Sequence, residues 1–248
     1  MMKYLILSDV HSNIHALNKI IDNEKYDQML FLGDVIGYGG DPQLCYKKFL
    51  EAGGTGVLGN HEYGVIKPFT LINFSENARL GVLHSIKKLP KEYVDHMKQL
   101  PETLQRDDFI LCHSMLEHPL EFQYVFPEDK DSDYLRSSFS KMKELGVKVM
   151  FTGHTHKPCI FKQKSDETIE MYKSMDGDIF LDENLFIINA GSVGQSRNNV
   201  PKAHYVIYDT AKRRVTFKSV DYNIADAADR IHEEGLPDFL AQRLYLGI

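Results

Sequence analysis

Residues able to bind a metal or move a proton recur along the first 156 positions, each time directly after a short apolar run. They are Asp9 with His11, then Asp34, then Asn60 with His61, then His113, and then His154 with His156. Carboxylate, imidazole and amide oxygen together suit borderline-hard divalent cations such as Mn, Fe, Co and Zn, and no thiolate is required. Taken singly, each has an ordinary explanation. Asp34 precedes a glycine-rich loop, where a turn aspartate is common, Asn60 reads as a turn residue, and any one histidine can be structural. The pair His154-Thr-His156 stands evenly between a structural and a metal-binding reading. The conjunction is harder to place by chance, because burying so many uncompensated polar groups is costly. It predicts a metal centre in which Asp34 is the carboxylate bridging two ions.

Residues must be brought together to do this, and the apolar runs are the means. A run that ends at a lone carboxylate and glycines reads as a buried strand reaching its carboxyl edge, where open α/β sheets place their sites. Residues 3–8 carry no charge after Lys3, as expected of a central strand covered on both faces. In an extended strand end, residues two apart point the same way, so Asp9 and His11 are expected to face one ion. A helix should follow, capped by Ser12 or Asn13, with Ile14, Leu17 and Ile21 on one face. Its amino end beside the site would favour phosphate oxygens. The second strand leads to Asp34. Asp41-Pro42 then opens a helix with Asp as its cap, with Leu44, Phe49 and Leu50 as apolar contacts and Gly53-Gly54 as its stop. Residues 56–62 read as a third short strand, and junctions spaced about 25 residues apart are what repeating βα units produce.

From Tyr63 to Leu100 the pattern is helical. Residues 109–114 are again a strand followed by His, residues 115–131 an irregular loop and partial lid, and residues 132–145 a helix ended by Gly146. The strand after it delivers His154 and His156. Beyond, residues 158–163, 185–189, 203–208 and 214–220 read as strands without long helices between them. They predict a mostly antiparallel sheet packed on the first half, closed by a helix near Asn223. One domain over residues 1–248 is the expectation.

With 248 residues and 43% hydrophobic content, the chain can bury a substantial core. A net charge of -6 argues against broad affinity for long nucleic acid, which relies on clustered Lys and Arg. Cys45, Cys112 and Cys159 show no CxxC spacing and predict a reducing, cytoplasmic setting. No apolar run approaches the roughly 20 residues of a membrane span, so no membrane partner is expected.

Asp9-x-His11, Gly33-Asp34, Gly59-Asn60-His61-Glu62, His113 and Gly153-His154-x-His156 resemble, in order, the signature blocks of the calcineurin-like metallophosphoesterases. Residues 188–194 (Ile-Asn-Ala-Gly-Ser-Val-Gly) are similar to a strand end in the small bacterial and archaeal phosphodiesterase branch of that superfamily. The resemblance implies an α/β fold, a four-layer α-β-β-α sandwich of two mixed sheets flanked by helices. It implies that Asp9, His11 and His156 hold one divalent metal with Asp34, and that Asn60, His113 and His154 hold a second, Asp34 being shared. Manganese comes first among the expected ions, with Fe, Co, Ni and Zn as alternatives. His61 is implied to face substrate, stabilise phosphoryl charge and protonate the leaving oxygen. Ser12 stands where many relatives have Gly, and Glu62 where many have Asp.

Two cations neutralise phosphoryl oxygens and lower the pKa of a bridging water, so that the hydroxide attacks phosphorus without a protein nucleophile. The expected activity is hydrolysis of a phosphodiester or nucleotide phosphoanhydride, with dinucleoside polyphosphates such as diadenosine tetraphosphate as a natural class. A phosphomonoesterase is the alternative within enzymes. A non-catalytic interaction scaffold on the same fold is the alternative from another class, disfavoured because the ligand set is complete. Arg197 is placed to reach a second phosphate or a substrate oxygen in forked geometry, or else to stand as a solvated loop arginine, and Tyr38 to stack on a base or donate to phosphate, with loop packing the slightly better reading. Asn13 and Lys157 are further candidates for substrate contact.

Overall fold

The first apolar run forms β1 (Lys3–Leu7), and its alternation sets out the layers of the molecule. Leu5 and Leu7 turn to one core with Ala16, Leu17, Ile20, Tyr46 and Phe49, while Tyr4 and Ile6 turn to another with Phe109, Phe151 and Ile188. A computed structural model describes residues 2–173 and 176–248. After β1 come α1 (Ile14–Asn23), β2 (Gln28–Phe31), α2 (Pro42–Glu51), α3 (Asn60–Ile66), α4 (Glu76–Lys88) and α5 (Lys91–Met97). The middle of the chain holds β3 (Thr103–Arg106), β4 (Phe109–Cys112), α6 (Asp133–Leu145) and β5 (Val149–Thr152). The last part holds β6 (Cys159–Gln163), β7 (Ile169–Lys173), β8 (Gly177–Phe180), β9 (Leu185–Asn189), β10 (Ala203–Asp209), β11 (Arg214–Val220), α7 (Ile224–Glu233) and α8 (Asp238–Leu246).

Two mixed sheets result. One runs β2-β1-β10-β11-β8 and the other β3-β4-β5-β9-β6-β7. The pairs β1/β2, β4/β5 and β5/β9 are parallel, and the remaining pairs are antiparallel. Between the sheets lies an apolar layer in which the Phe109 ring meets Tyr4, Phe151 and Tyr208 at centroid distances of 5.2, 5.7 and 5.5 Å. Fully burying one such side chain stabilises the fold by roughly 1.5–3 kcal/mol. The outer face of the second sheet, through Ile110, Met150, Phe161 and Ile187, packs on Leu135, Phe139 and Met142 of α6. The order is thus helices, sheet, sheet, helix, the four layers that the family resemblance implies.

Several local expectations are revised. The strands after residue 158 do not form a sheet of their own: β10 and β11 extend the sheet of β1, and β9 pairs in parallel with β5. Residues 56–62 contribute a single bridge, Phe31 to Gly56, and Asn60 and His61 open α3 instead of ending a strand. Asp41 precedes α2 without capping it through its side chain, because the carboxylate is taken by Arg230 Nε at 2.9 Å. Leu44 lies exposed on the same helix. The strands β3, β7 and β8 and the helix α8 were not evident from periodicity, being short or weakly patterned. The helices over 14–23, 133–145 and 224–233 match expectation, with Asn13, Ser132 and Asn223 as side-chain caps. No helix among the described residues is long and apolar enough to cross a membrane.

Candidate metal centre

Asp9 and His11 follow β1, Asp34 follows β2, His113 follows β4, and His154 and His156 follow β5. Alternation along an extended strand is not what turns them inward. Asp9, His11, Asp34, His154 and His156 all adopt left-handed backbone, with φ of 52°, 48°, 54°, 66° and 59°. Such conformations cost of order 1–3 kcal/mol each in residues other than glycine and persist where surroundings over-determine them. Here the surroundings are a mesh of main-chain hydrogen bonds. His11 and Ser12 N–H donate to the Asp34 and Val35 carbonyls, both at 3.0 Å, and Gly194 N–H donates to the Asp9 carbonyl at 3.0 Å.

The side chains converge in two groups. In the first, Asp9 Oδ1 lies 3.2 Å from His156 Nε2 and 3.6 Å from His11 Nε2, and the two histidine Nε2 atoms are 3.0 Å apart. In the second, His113 Nε2 lies 3.1 Å from Asn60 Oδ1, 3.2 Å from His154 Nδ1 and 3.4 Å from Asp34 Oδ2. Asp34 Oδ2 is also 3.8 Å from His11 Nε2, so one carboxylate oxygen stands between the groups. All of these side chains except Asn60 are buried.

The outer ring nitrogens decide what the inner ones can do. His11 Nδ1 faces the Ile36 carbonyl at 3.2 Å, His113 Nδ1 the Leu32 carbonyl at 2.7 Å, His154 Nε2 the Phe122 carbonyl at 2.8 Å, and His156 Nδ1 the Gln195 carbonyl at 2.5 Å. A carbonyl oxygen only accepts, so each outer nitrogen carries the proton and each inner nitrogen of a neutral ring presents a lone pair. Paired lone pairs about 3 Å apart beside carboxylates are unfavourable without a cation between them, and this outer-carbonyl arrangement is the usual support of metal-binding histidines. Asp9 Oδ1, buried without a hydrogen-bond donor among the described residues, points the same way. The donor set therefore fits two divalent ions.

The charge balance agrees. Burial opposes ionisation of Asp9 and Asp34, yet neighbouring His156 and His113 respectively hold both below the usual carboxylate range. Burial, then His113, push His154 down to about 3; burial, then Arg197, push His156 to about 3. Burial disfavours charge on His113 too, but Asp34 raises it to about 9. Two ionised carboxylates thus stand among largely neutral imidazoles.

His61 lies beside this cluster and is held from two sides. Its backbone N–H donates to Asp34 Oδ1 at 2.9 Å, and its Nε2 is 3.9 Å from Asp34 Oδ2, close enough to group geometrically with His11 and Asp34. Its Nδ1 is buried with no hydrogen-bond partner among the described residues. Burial, reinforced by His11 and His113, favours the neutral ring despite Asp34. Gly37, at φ +93°, leaves the space that the ring fills, since a Cβ there would overlap His61 Nδ1. Gly153 does the same for Ser8 and Asp9, where a Cβ would overlap Ser8 Oγ.

Of the proposed substrate contacts, Tyr38 lies next to the cluster, its ring centroid 4.7 Å from those of both His11 and His61. Arg197 Nη2 reaches Gln195 Oε1 at 3.0 Å and Tyr38 Oη at 3.5 Å. Asn13 is occupied in holding the backbone: Oδ1 caps α1 by accepting from Ala16 N–H, and Nδ2 donates to the Gly194 carbonyl. Lys157 lies farther out, over the Phe126 ring at 5.0 Å. Residues 115–131 form an irregular loop that contributes directly, because Phe122 supplies the carbonyl to His154 and the Tyr124 ring stacks on His154 at 3.9 Å. A cleft of about 540 Å³ opens there between Asn60, His154, Tyr38, Phe74 and Tyr124. Sequence reasoning missed Phe122 and Tyr124, which carry no pattern. It also missed the role of Glu62, for which a signal exists: a glutamate three residues after Gly59 at a helix start.

A model of the calcineurin-like phosphoesterase superfamily domain matches residues 2–213. An uncharacterised protein of Methanocaldococcus jannaschii is 31% identical over 250 residues, covering 98% of this chain and 97% of its own. A metallophosphoesterase crystal structure from Sphaerobacter thermophilus superposes with a TM-score of 0.86 at 30% identity, covering 100% of this chain and 99% of that one. A hypothetical protein of Pyrococcus horikoshii shares the fold with a TM-score of 0.78 at 17% identity, over 100% of this chain and 99% of its own.

Proposed function

The chain belongs to the calcineurin-like phosphoesterase superfamily, and from that premise we propose that it is a dinuclear-metal hydrolase of phosphodiesters or nucleotide phosphoanhydrides. Asp9, His11 and His156 would hold one ion, Asn60, His113 and His154 the other, and Asp34 would serve both. The observation that carries the reading is the pairing of His11 Nε2 with His156 Nε2 at 3.0 Å, and of His113 Nε2 with His154 Nδ1 at 3.2 Å, with every outer nitrogen committed to a carbonyl. Manganese is the ion we favour, the oxygen and imidazole donors accepting Fe, Co, Ni or Zn as well. Bound there, the two cations would neutralise phosphoryl oxygens and lower the pKa of the attacking water.

The protein's own groups do the rest. Asp34 Oδ1 fixes the His61 main chain while Oδ2 faces both groups of histidines. His61, packed between Tyr38, His11 and Phe74, would donate a hydrogen bond from its neutral ring to the departing oxygen, and would protonate it once the negative charge of a bound phosphoryl group has favoured the imidazolium form. Tyr38 and Arg197 would orient the substrate, with Asn13 steadying the loop at Gly194 behind them. Dinucleoside polyphosphates such as diadenosine tetraphosphate fit this assignment as a substrate class.

The test is turnover of mono-, di- and dinucleoside-polyphosphate substrates by protein reconstituted with each metal, alongside metal analysis. Two ions per chain and Mn-dependent cleavage of diesters or anhydrides are expected. Fewer than two ions after Mn addition would overturn the paired centre, and cleavage of monoesters alone would transfer the assignment to a phosphomonoesterase.

A further inference from the structure

Two guanidinium groups share the ring of Tyr38. Arg197, from the loop between β9 and β10, has its Cζ 5.8 Å from the ring centroid, and Arg243, from α8, has its Cζ 5.9 Å away. Neither forms an ion pair with a carboxylate side chain among the described residues. Arg197 donates through Nη2 to Gln195 and Tyr38, and its Nε is buried without a hydrogen-bond partner among the described residues. Arg243 donates through Nε to the Ile248 oxygen at 2.6 Å, and its two Nη groups have no hydrogen bond among the described residues. Burial and the neighbouring Arg197 push Arg243 down to about 10, which leaves it charged at neutral pH.

Two partly buried cations on one ring, neither paired with a carboxylate side chain among the described residues, are costly, since each loses hydration and the charge of Arg197 disfavours that of Arg243. The faces of an aromatic ring compensate in part. Among the described residues, the Nη groups of Arg243 are left for an anion. The same Tyr38 ring touches His11 and His61, so the cation pair lies one ring away from where a reacting phosphoryl group would sit. Forked N–H groups left free on two guanidiniums match a phosphate dianion better than a single carboxylate.

We propose that Arg197 and Arg243, held on Tyr38, form a second anion site, and that the substrate is a phosphoester carrying a further phosphate group besides the one attacked. This rests on the hydrolase reading above, and it adds Arg243, on the last helix, to the residues that select the substrate.

The experiment is titration calorimetry on the full-length Mn-loaded protein with AMP, α,β-methylene-ADP and adenosine 3′,5′-bisphosphate, whose second phosphates differ in spacing. Wild type should bind at least one of the doubly phosphorylated probes about tenfold or more tightly than AMP. Arg243→Met and Arg197→Met should each bring that preference close to one, and Arg243→Lys should restore part of it, with unchanged melting temperatures showing that α8 stays packed. No preference in wild type, or an equal preference in wild type and both Met variants, overturns the second site. Hydrolysis of either of two substrates, bis(p-nitrophenyl) phosphate or diadenosine tetraphosphate, by wild type is followed in parallel. Its absence, with an arginine-dependent preference intact, overturns the hydrolase reading and leaves the anion site standing; its presence without that preference overturns the anion site alone.

Discussion

The carboxylate of Glu62 accepts a hydrogen bond from the backbone N–H of Asp34 at 2.8 Å, so one buried acid sets the main chain of the other. The same carboxylate accepts from Val35, Ile36 and Gly59 N–H at 2.8, 3.2 and 3.2 Å. Burial and the Asp34 charge push Glu62 up to about 7, against these four donors, which favour the ionised form. The geometry makes Glu62 a positioning residue for the loop that carries Asp34. Glu62→Gln keeps the shape but turns an NH2 group toward N–H donors. It should destabilise the protein by about 1–3 kcal/mol for each donor left unpaired and weaken metal binding by roughly 10- to 100-fold. Thermal melts and Mn titrations check both; an unchanged Mn affinity would show that Glu62 is dispensable to the site.

Asp34 stands between two groups of histidines, so its loss should be felt by both. Asp34→Asn is expected to weaken both ions together, beyond the roughly 100-fold upper range of outer-shell changes. His156→Ala and His113→Ala should each chiefly affect one. Metal content after dialysis against limiting chelator separates these cases, and two tightly held ions in Asp34→Asn would show that the bridge is wrong.

His61 should matter to turnover and little to metal. His61→Ala is expected to keep both ions and lose roughly 10²- to 10⁴-fold in kcat. Gly37→Ala should reproduce part of that loss by displacing the ring, and should cost more than about 1 kcal/mol in stability because alanine disfavours its positive φ. Steady-state kinetics with metal analysis on both variants is the measurement. Full activity of His61→Ala across several leaving groups would remove the acid role.

The thiols should be silent in the folded protein. Cys45, Cys112 and Cys159 are buried and unpaired, and burial pushes the thiols of Cys112 and Cys159 up to about 12. Ellman's reagent should label none of them at neutral pH in the native state and all three in denaturant. Fast labelling of Cys112 or Cys159 in the native protein would contradict the packing of α6 on its sheet.

Legibility from sequence followed the physics of each feature. Apolar runs ending in ligand-type residues were readable because strand ends deliver side chains to one edge, and Asp9, Asp34, His113 and His154 lie where that argument expects. The means of convergence was not readable: alternation predicts how a strand points, whereas Asp9 and His11 are aimed by left-handed turns fixed by distant backbone. Asn60 and His61 were found as residues and misjudged as a strand end, because a helix start after Gly59 and a short strand share the same few residues. The four-residue strands β3 and β8 are half-exposed or exposed and lack the continuous buried apolar run that made β2, β4 and β5 of the same length readable. Tyr124 and Arg243 reach the site only through tertiary packing, which no local pattern carries.

The interleaving of β10 beside β1 sets an order of events in time. Asp9 is made well before the residue that fixes it: its carbonyl accepts from the Ser192 hydroxyl, 183 positions later, and His156 is oriented by the Gln195 carbonyl. The loop bearing His154 waits as well, because Asn189 Nδ2 donates to the Gly153 carbonyl and β9 supports β5. Contacts so distant along the chain form slowly. A chain ended at residue 184 would already carry every ligand candidate and should still retain no stoichiometric metal, which metal analysis of that fragment would show. The centre is a late product of folding, completed only once the chain through Gln195 has been made to hold Asp9 and His156.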